Sequence, residues 1–460
     1  MNILPELQNI VGPEHVSVAA ADRQQHAHDQ SDQPPSLPDV VVWPGSTAEV
    51  SAILRLANQT RTPVTAWGAG TSLEGQPLPI HGGITLDFGR MNRIVQIHEN
   101  DFQVTVQPGI FYMDMNKTLA RYGLFFAPDP GANASIGGML ANNAAGIRTV
   151  KYGATRDNVL ALQVVLANGE VIRTGSRSVK QSAGYDLTHL FVGSEGTLGL
   201  ITEATLKLAP LPEHFSAATV AFPDVTAAAQ TVFDLIASGL EPAALELLGE
   251  TAVAIINTEP GINLVVAPTL FLEFHGASAA SLKETLELAE TICRENGCLH
   301  YQAGIGRDAR ARLWEARHRL FEVMVRYHQG MAHVVTDVAV PISTYPEMVR
   351  ETAAIIREFQ ITGHLIGHAG DGNLHTALFF PAGEETARQR VEQARSAMVK
   401  LALSLDGTCT GEHGVGLGKQ KYMLAEHGPR AIQLMRQLKT TLDPRNILNP
   451  GKVLPEVEIT

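Results

Sequence analysis

The feature that most constrains how this chain folds is a nineteen-residue stretch with hardly a bulky side chain, PDPGANASIGGMLANNAAG at 128–146. It holds four glycines, five alanines and three asparagines. Backbone this bare either packs tightly within its own helix and turn or lies against a large, flat ligand whose edges Asn and Ser can hydrogen bond. Two more glycine-rich strips, GAGTSLEG at 68–75 and GSEGTLGLIT at 193–202, favour one extended ligand that contacts all three strips.

The order of strand-like and helix-like segments predicts an α+β protein. In the first half, ALQVVLANGEVIRTG at 161–175 predicts a β-hairpin, in which Asn168 and Gly169 supply the positive φ angles of a tight turn. Ser46 and Glu49 form the capping box of a helix. In the second half, strand–helix–strand units occur twice, which is typical of antiparallel sheets covered by helices on one side.

These patterns divide the chain of 460 residues into four parts. A polar, proline-bearing lead-in covers 1–37, a first domain covers 38–212 and a second domain covers 213–420. The last segment, 421–460, is too short to form a domain, and we expect it to pack back on the first domain.

Composition excludes several classes of function. The net charge of −12 and the pI near 5.8 argue against nucleic acid and against an anionic membrane surface as partners. No apolar run approaches the roughly 18 residues of a membrane span, and the first residues show no secretory signal. The three cysteines, Cys293, Cys298 and Cys409, have no zinc-type spacing and fit a reducing compartment. The sequence therefore predicts a cytoplasmic protein large enough to be an enzyme.

The strip HAGDGNLH places two histidines seven positions apart around turn-forming residues. On one straight strand His368 and His375 would face opposite sides, but a turn at 371–373 could fold them onto one face. Glu412, in the strip TGEHGVGLGK, could add a carboxylate, and this set of ligands suits zinc, manganese or iron. The simpler alternative is that each histidine is a satisfied core residue. Taken without the rest of the chain, the three residues would also suit a metallohydrolase.

Seven strips in a fixed order resemble the FAD-linked 2-hydroxyacid dehydrogenases of the vanillyl-alcohol-oxidase type, in particular their D-lactate dehydrogenase branch. They are GAGTSLEG, DPGANASIGGMLANNAAG, KYGATRDNVL, GSEGTLGLIT, GHAGDGNLH, GTCTGEHGVGLGK and NPGKVL. The resemblance implies a two-part FAD-binding domain, a ferredoxin-like antiparallel-sheet substrate domain and no nicotinamide cofactor. It also implies oxidation of a D-2-hydroxyacid by hydride transfer to the flavin, with D-lactate to pyruvate as the best guess.

The resemblance assigns site residues as well. Those implied for FAD are Gly68, Gly70, Thr71, Ser72, Pro130, Gly131, Ser135, Gly137, Gly138, Asn142, Gly146, Glu195, Gly199, Ile201 and Asn449. Those implied for a divalent metal, zinc or manganese, are His368, His375 and Glu412. Arg317 would bind the substrate carboxylate in a bidentate fork, and Asn373 would add a polar contact. His413 would be the catalytic base, because an imidazole with a pKa near neutrality suits a hydroxyl proton that a nearby metal makes easier to lose.

Two departures from the family pattern narrow the prediction. Residues 63–76 contain neither histidine nor cysteine, so we expect FAD to be bound non-covalently. Relatives that oxidise dicarboxylates carry a lysine in the strand that follows the Arg317 helix. The corresponding strip here, HVVTDVAV at 333–340, has no lysine or arginine, which favours small monocarboxylates.

Several alternatives stay open at this point. The substrate could be glycolate or D-2-hydroxyglutarate, the chain could be a flavin-binding regulatory subunit without turnover, or it could be a metallohydrolase whose glycine strips are structural. No heme or iron–sulfur motif is present, so electrons would leave to a cytochrome, a quinone, an electron-transfer flavoprotein or oxygen. Such an acceptor could hold the protein at the inner membrane, and an oligomer is compatible with the sequence.

Overall fold

The structure, a computed structural model, describes residues 3–455. Its helices are α1 (Leu4–Val11), α2 (Ala20–Gln25), α3 (Thr47–Thr60), α4 (Tyr112–Leu119), α5 (Ile136–Asn142), α6 (Thr149–Tyr152), α7 (Thr188–Phe191), α8 (Val225–Ala237), α9 (Glu250–Ile256), α10 (Ala279–Glu295), α11 (Arg307–Tyr327), α12 (Tyr345–Glu358), α13 (Glu385–Ser404) and α14 (Gln420–Leu442). Its strands are β1 (Val16–Ser17), β2 (Val40–Val42), β3 (Val64–Trp67), β4 (Ile84–Asp87), β5 (Ile94–His98), β6 (Gln103–Val106), β7 (Leu124–Phe125), β8 (Val159–Val165), β9 (Val171–Gly175), β10 (Leu200–Lys207), β11 (Ala209–Pro210), β12 (His214–Ala221), β13 (Ala244–Leu248), β14 (Thr269–Gly276), β15 (His300–Ile305), β16 (Met331–Ala339), β17 (Thr362–His368) and β18 (Asn373–Pro381). Among these described elements, no helix has the length and apolar character that crossing a membrane requires.

The described chain forms two compact units. Unit 1 contains the residues up to Ala145, the range Gly153–Leu211 and the residues from Glu412 onward. Unit 2 contains Gly146–Tyr152 and Pro212–Gly411. The described part of the lead-in, with α1, α2 and β1, is therefore part of unit 1.

The first sheet of unit 1 has four strands in the order β1-β2-β4-β3. The strands β2, β4 and β3 run parallel, whereas β1 pairs antiparallel with β2. Helix α3 buries its apolar face in the same core cluster as these strands. Ser46 caps its first turn as predicted, but Glu49 Oε2 accepts from the N–H of Gly45 at 2.7 Å instead of that of Ser46, so the second bond of the predicted capping box is replaced. The Ser46 hydroxyl accepts a hydrogen bond from the backbone N–H of Glu49 at 3.2 Å. The segment that follows α14 joins this region, because the N–H of Asn449 donates to the carbonyl of Val64 at 2.8 Å.

The second sheet of unit 1 is antiparallel, with the order β5-β6-β10-β8-β9. The predicted hairpin is confirmed as β8 and β9. The prediction of a positive φ at Asn168 is wrong. Of Asn168 and Gly169, both described, only Gly169 has a positive φ, at 82°. The N–H of Leu166 donates to the carbonyl of Glu170 at 2.9 Å, which leaves a three-residue loop that needs one left-handed position instead of two.

Unit 2 is built on one antiparallel sheet of seven strands, in the order β15-β12-β14-β13-β17-β18-β16. Helices cover both faces, so the prediction of one covered side is wrong. Successive residues of β14 point to opposite faces. On one face, a Cβ atom at Gly276 would lie 2.8 Å from Leu282 of α10. On the other face, Glu273 accepts a hydrogen bond from Arg310 of α11 at 2.7 Å. In unit 1, β7 and β11 form a further two-stranded sheet. The predicted α+β class, with an antiparallel sheet in the second domain, is confirmed.

Candidate active site

A cavity in unit 1 is walled by the glycine-rich strips. It encloses about 1330 Å³ of empty space, part of it open to solvent. The predicted FAD residues that line it are Gly68, Gly70, Thr71, Ser72, Pro130, Ser135, Gly137, Gly138, Asn142, Glu195, Gly199, Ile201 and Asn449. Gly131 and Gly146 are not among its lining residues. The three strips that the sequence assigned to one extended ligand therefore do meet at one cavity.

Close backbone approach explains two of these glycines. Ser135 caps α5, since its hydroxyl accepts from the N–H of Gly138 at 3.2 Å, and a Cβ atom at Gly68 would overlap that hydroxyl. A Cβ atom at Gly137 would lie 2.7 Å from the Cβ atom of Pro108. The bare strips thus pack tightly on one another and also leave a long cavity with polar groups on its walls. That combination fits an elongated cofactor with a flat ring system, such as FAD.

Glu412 and His413 line the same cavity. The loop that carries them is held by unit 1, because Gln76 Nε2 donates to the carbonyl of His413 at 2.6 Å. The N–H groups of Val415 and Gly416 donate to the two oxygens of the Glu195 carboxylate at 2.6 and 2.9 Å. Burial raises the pKa of Glu195 to about 7, although the two N–H groups act in the opposite direction. The sequence-predicted base is therefore fixed at the wall of the predicted cofactor cavity.

In unit 2, the two histidines of HAGDGNLH lie on one face of the sheet. His368 ends β17 and His375 is the third residue of β18, and between them lies a turn in which Gly372 adopts φ of 77°. His375 pairs opposite Ile366, and the ring centroids of His368 and His375 are 5.1 Å apart, at 89° to each other. One nitrogen of each ring lies within 4.8 Å of the other. The predicted fold-back of the two imidazoles is confirmed.

Each of these histidines has its Nδ1 atom against a hydrogen-bond acceptor. His368 Nδ1 lies 2.6 Å from Glu246 Oε1, and His375 Nδ1 lies 3.2 Å from the carbonyl oxygen of Thr336. Carboxylate and carbonyl oxygens only accept, so Nδ1 carries the proton in both rings and the lone pair of the neutral ring is on Nε2. This is the tautomer and support that metal-binding histidines have in proteins.

Arg317 lies on α11 with its guanidinium against a buried acid. Its Nε and Nη2 atoms donate to Glu246 Oε2 at 2.9 and 2.7 Å, and Glu246 has no exposed surface. The same carboxylate therefore binds Arg317 through one oxygen and His368 through the other. A substrate carboxylate would have to use the remaining Nη1 side of Arg317, and its predicted role in substrate binding stays a prediction.

Asn373, the first residue of β18, is held by its amide nitrogen. Nδ2 donates to Asp337 Oδ1 at 2.7 Å and to the carbonyl of Val338 at 2.8 Å. Its Oδ1 atom is buried and accepts no hydrogen bond from the described residues, so it is available to a ligand donor. A Cβ atom at Gly411 would overlap Asn373 Nδ2, so Gly411 lies directly against this strand. Glu412 is the next residue of the chain.

Sequence reasoning missed the buried acids of unit 2. Glu246, Glu273 and Asp337 each have no exposed surface. Glu273 accepts from Arg310 Nε at 2.7 Å and lies 2.7 Å from His275 Nε2, so it repeats the arginine–glutamate–histidine arrangement of Glu246. Burial would raise the pKa of Glu273, but these partners outweigh it and lower the pKa to about 2. The available signal was a lone acid inside an apolar strand, as in LELL and FLEF, which requires a buried partner.

Comparisons with known proteins agree with this site. Residues 38–175 match the family model "FAD binding domain", and residues 211–453 match "FAD linked oxidases, C-terminal domain". D-lactate dehydrogenase (cytochrome), mitochondrial, of Arabidopsis thaliana is 43% identical over 91% of this chain and 74% of its own length. The glycolate oxidase subunit GlcD of Bacillus subtilis is 38% identical over 98% of this chain and 96% of its own length.

The fold is also found among solved structures. The 4-ethylphenol oxidase of Gulosibacter chungangensis superposes with a TM-score of 0.80 at 20% identity, over 99% of this chain and 97% of the oxidase. This likeness confirms the predicted vanillyl-alcohol-oxidase type of fold. The matched FAD-binding domain, residues 38–175, contains two of the three strips that wall the cavity of unit 1. This chain therefore belongs to the FAD-linked oxidases, and the resemblance of its sequence strips to their 2-hydroxyacid dehydrogenases is confirmed.

Proposed function

We propose that this chain oxidises a small D-2-hydroxyacid, with D-lactate to pyruvate as the preferred reaction. One observation carries the proposal: His413, the candidate base, lines the same cavity as the FAD-binding strips. A sequence identity of 43% to a D-lactate dehydrogenase over 91% of this chain supports the proposal. A metallohydrolase is disfavoured, because two of the three strips that it would treat as structural, at 68–75 and 128–146, fall in a matched FAD-binding domain.

In this reaction each group of the substrate has a partner in the chain. The substrate carboxylate binds the guanidinium of Arg317. The proton of the substrate hydroxyl passes to His413 as the hydroxyl oxygen forms the new carbonyl bond. Asn373 Oδ1 accepts a hydrogen bond from the bound substrate or its water. FAD, when bound, supplies the acceptor for the hydride that leaves C2. With both the carboxylate and the hydroxyl held, only one face of C2 can be presented, which gives the preference for D-substrates.

We propose further that His368, His375 and Glu412 hold a divalent metal, zinc or manganese. The support is chemical: two imidazoles with protonated Nδ1 atoms face one another on one side of the sheet, and one carboxylate follows Gly411 in the chain. Two nitrogen ligands and one oxygen ligand leave positions open for substrate. Such an ion lowers the pKa of the hydroxyl that it contacts, so a histidine base can remove the proton near neutral pH.

FAD is proposed to be held without a covalent bond. The residues that line the cavity include no cysteine, and their single histidine is His413, which the reaction needs as a base. The binding energy would therefore come from the close contacts of the glycine strips and from hydrogen bonds along them.

The substrate is proposed to be a monocarboxylate. Strand β16 follows the Arg317 helix and contains no lysine or arginine, so a second carboxylate has no cation there. D-2-hydroxyglutarate is disfavoured on this ground. Glycolate is the second candidate, because the Bacillus subtilis relative carries that name and this chain covers almost all of it.

The electron acceptor is proposed to be a cytochrome, since the Arabidopsis thaliana relative is named for one. A quinone and an electron-transfer flavoprotein remain the alternatives. A cytoplasmic location stays a prediction, because the name of that same relative places it in mitochondria. An oligomeric state also stays a prediction.

The test is anaerobic reduction of the flavin by single substrates. The purified yellow protein is mixed with D-lactate, L-lactate, glycolate and D-2-hydroxyglutarate, each with and without a chelator, and the loss of flavin absorbance is followed. We expect fast bleaching by D-lactate, slower bleaching by glycolate and loss of both rates after metal removal, with recovery on addition of zinc or manganese. If FAD-loaded protein is bleached by none of the four acids, the proposed function is wrong.

A further inference from the structure

The carboxylate of Glu195 binds the loop that carries His413. Its Oε1 atom accepts from the N–H of Val415 at 2.6 Å, and its Oε2 atom accepts from the N–H of Gly416 at 2.9 Å. Glu195 is 5% exposed, so water competes little for either oxygen. Burial raises the pKa of Glu195 to about 7, whereas the two N–H groups stabilise its ionised form. One side chain thus fixes two consecutive peptide groups that begin two residues after the candidate base.

The backbone of Glu195 adopts a conformation that ordinarily favours glycine. Its φ is 52°, a left-handed conformation that costs an ordinary residue roughly 1–2 kcal/mol and that glycine adopts freely. Its neighbours in the strip, Gly193 and Gly196, adopt positive φ as glycines. The residue is also pinned by its main chain, because its N–H donates to Ala141 and its carbonyl accepts from Asn449, at 2.9 and 2.8 Å. A glycine here would relieve the strain but would lose the carboxylate.

A second residue, Gln76, binds the same loop at a different backbone atom. Gln76 Nε2 donates to the carbonyl of His413 at 2.6 Å. A Cβ atom at Gly414 would lie 2.7 Å from Gln76 Nε2 and 2.8 Å from Glu195 Oε1, so the missing side chain lets both polar groups reach the loop. His413 is therefore bracketed by Gln76 on its own carbonyl and by Glu195 two residues further on.

We propose that Glu195 is a positioning residue for the oxidation: by binding the backbone of Val415 and Gly416, its carboxylate sets where the imidazole of His413 meets the substrate hydroxyl. The inference rests on the proposed function, because it assigns a role through His413. It differs from the cofactor contact that the sequence implied for Glu195, since both carboxylate oxygens are bound to the loop. A displacement of about 1 Å of a reacting group can cost about 10²-fold in rate, which is the size of effect expected here.

The test compares Glu195→Ala and Glu195→Gln with Glu203→Ala as a matched control. Glu203 lies on β10 nearby in the chain, and its carboxylate meets the well-exposed Arg173 at 3.5 Å. Three quantities are measured on each FAD-loaded protein: bound FAD per chain, the KM for D-lactate, and the limiting rate of anaerobic flavin reduction. We expect Glu195→Ala to retain FAD and to change KM by less than about threefold, while the limiting rate falls about 10²-fold. Glu195→Gln keeps one acceptor oxygen and should lose less.

A double-mutant cycle with Gln76→Ala separates positioning from general damage. If both residues act by holding one loop, the two losses in rate will not multiply, because a loop released by one change has little left to lose. Amide hydrogen exchange of the peptide that contains Val415 and Gly416 gives a readout that does not depend on turnover, and it should be faster in both Glu195 variants. Should Glu195→Ala not fold, Glu195→Gln and the exchange data still decide.

Two results would overturn the inference. One is an unchanged reduction rate in both Glu195 variants when the wild-type protein is reduced by D-lactate. The other is loss of FAD with a normal rate in the fraction that keeps it, which would make Glu195 a cofactor residue only. If no hydroxyacid reduces the wild-type protein, the proposed function is wrong instead. Faster amide hydrogen exchange at Val415 and Gly416 in the Glu195 variants would then still show that the Glu195 carboxylate holds this loop.

Discussion

Glu246 and His368 lie directly opposite each other on β13 and β17, and the carboxylate Oε1 is 2.6 Å from the imidazole Nδ1. The other oxygen of Glu246 binds Arg317. One buried acid thus connects a candidate metal ligand with the candidate substrate-binding arginine, and neither side chain can move without affecting the other. This arrangement makes the first prediction specific.

Glu246→Gln should weaken metal binding by about 10- to 100-fold, because the amide keeps one acceptor oxygen for two donors, Arg317 and His368, and no longer holds the tautomer and orientation of His368 as firmly. Metal affinity is measured by competition with a chromophoric chelator. Glu273→Gln is the matched control, since Glu273 is equally buried and has the same kinds of partner. Both changes break a buried ion pair and should lower stability by several kcal/mol. Equal metal affinity in the two variants would contradict the orienting role of Glu246.

His413→Ala should keep FAD and lose flavin reduction by D-lactate by about 10²- to 10⁴-fold, the usual contribution of a general base. Flavin absorbance reports the bound cofactor, and rapid mixing reports the rate. Chemical reduction by dithionite should be unaffected, which shows that the flavin itself is intact. If D-lactate reduces the variant at the wild-type rate, His413 has no part in the mechanism.

Gly68→Ala should reduce FAD affinity at least tenfold, because its Cβ atom would overlap the hydroxyl of Ser135 and displace the cap of α5. The double variant Gly68→Ala/Ser135→Ala removes that overlap, although loss of the cap costs about 1 kcal/mol. Titration of the apoprotein with FAD measures both affinities. Recovery in the double variant would identify the clash as the cause, whereas an equal or larger loss would show that Gly68 is needed for close approach of the cofactor.

Stability should depend on pH through a pair of histidines, His328 and His364. His328 Nε2 lies 2.8 Å from His364 Nε2, and His364 Nδ1 lies 2.9 Å from the Thr251 hydroxyl. Burial, and then the neighbouring His328, lower the pKa of His364 to about 4. In the unfolded chain it is about 6.5, so between these values the unfolded state binds more protons and stability falls as the pH falls.

From pH 7.5 to pH 5.0, His364 should therefore remove about 2 kcal/mol from the free energy of unfolding. Urea unfolding of the holoprotein at the two pH values gives this difference, and His364→Asn should show a smaller one because the amide does not titrate. The comparison of the two proteins cancels the contribution of all other groups. An identical pH dependence in both would mean that the His364 imidazole is protonated as readily when folded as when unfolded.

The sequence strips indicated candidate residues for the site because their chemistry is local. A run with few bulky side chains, as at 128–146, leaves its backbone and small polar groups accessible to a ligand wherever the run folds. The HAGDGNLH turn carries its own geometry, since Gly372 and the alternation of the flanking strands place His368 and His375 on one face. The hairpin at Gly169 and the cap at Ser46 are local in the same way. These features depend on neighbours within a few residues, so the sequence by itself determined them.

The tertiary structure alone decided which buried charges meet. Glu246 lies 71 positions from Arg317 and 122 positions from His368, and Glu195 lies 220 positions from Val415. No local pattern indicates which distant partner neutralises an acid, because that depends on the order of strands in the sheet and on the face that α11 covers. The same holds for the covered second face of unit 2, where Arg310 and Arg317, two turns apart on α11, reach two buried glutamates. A buried charge is stable only beside a partner, and chain topology supplies that partner.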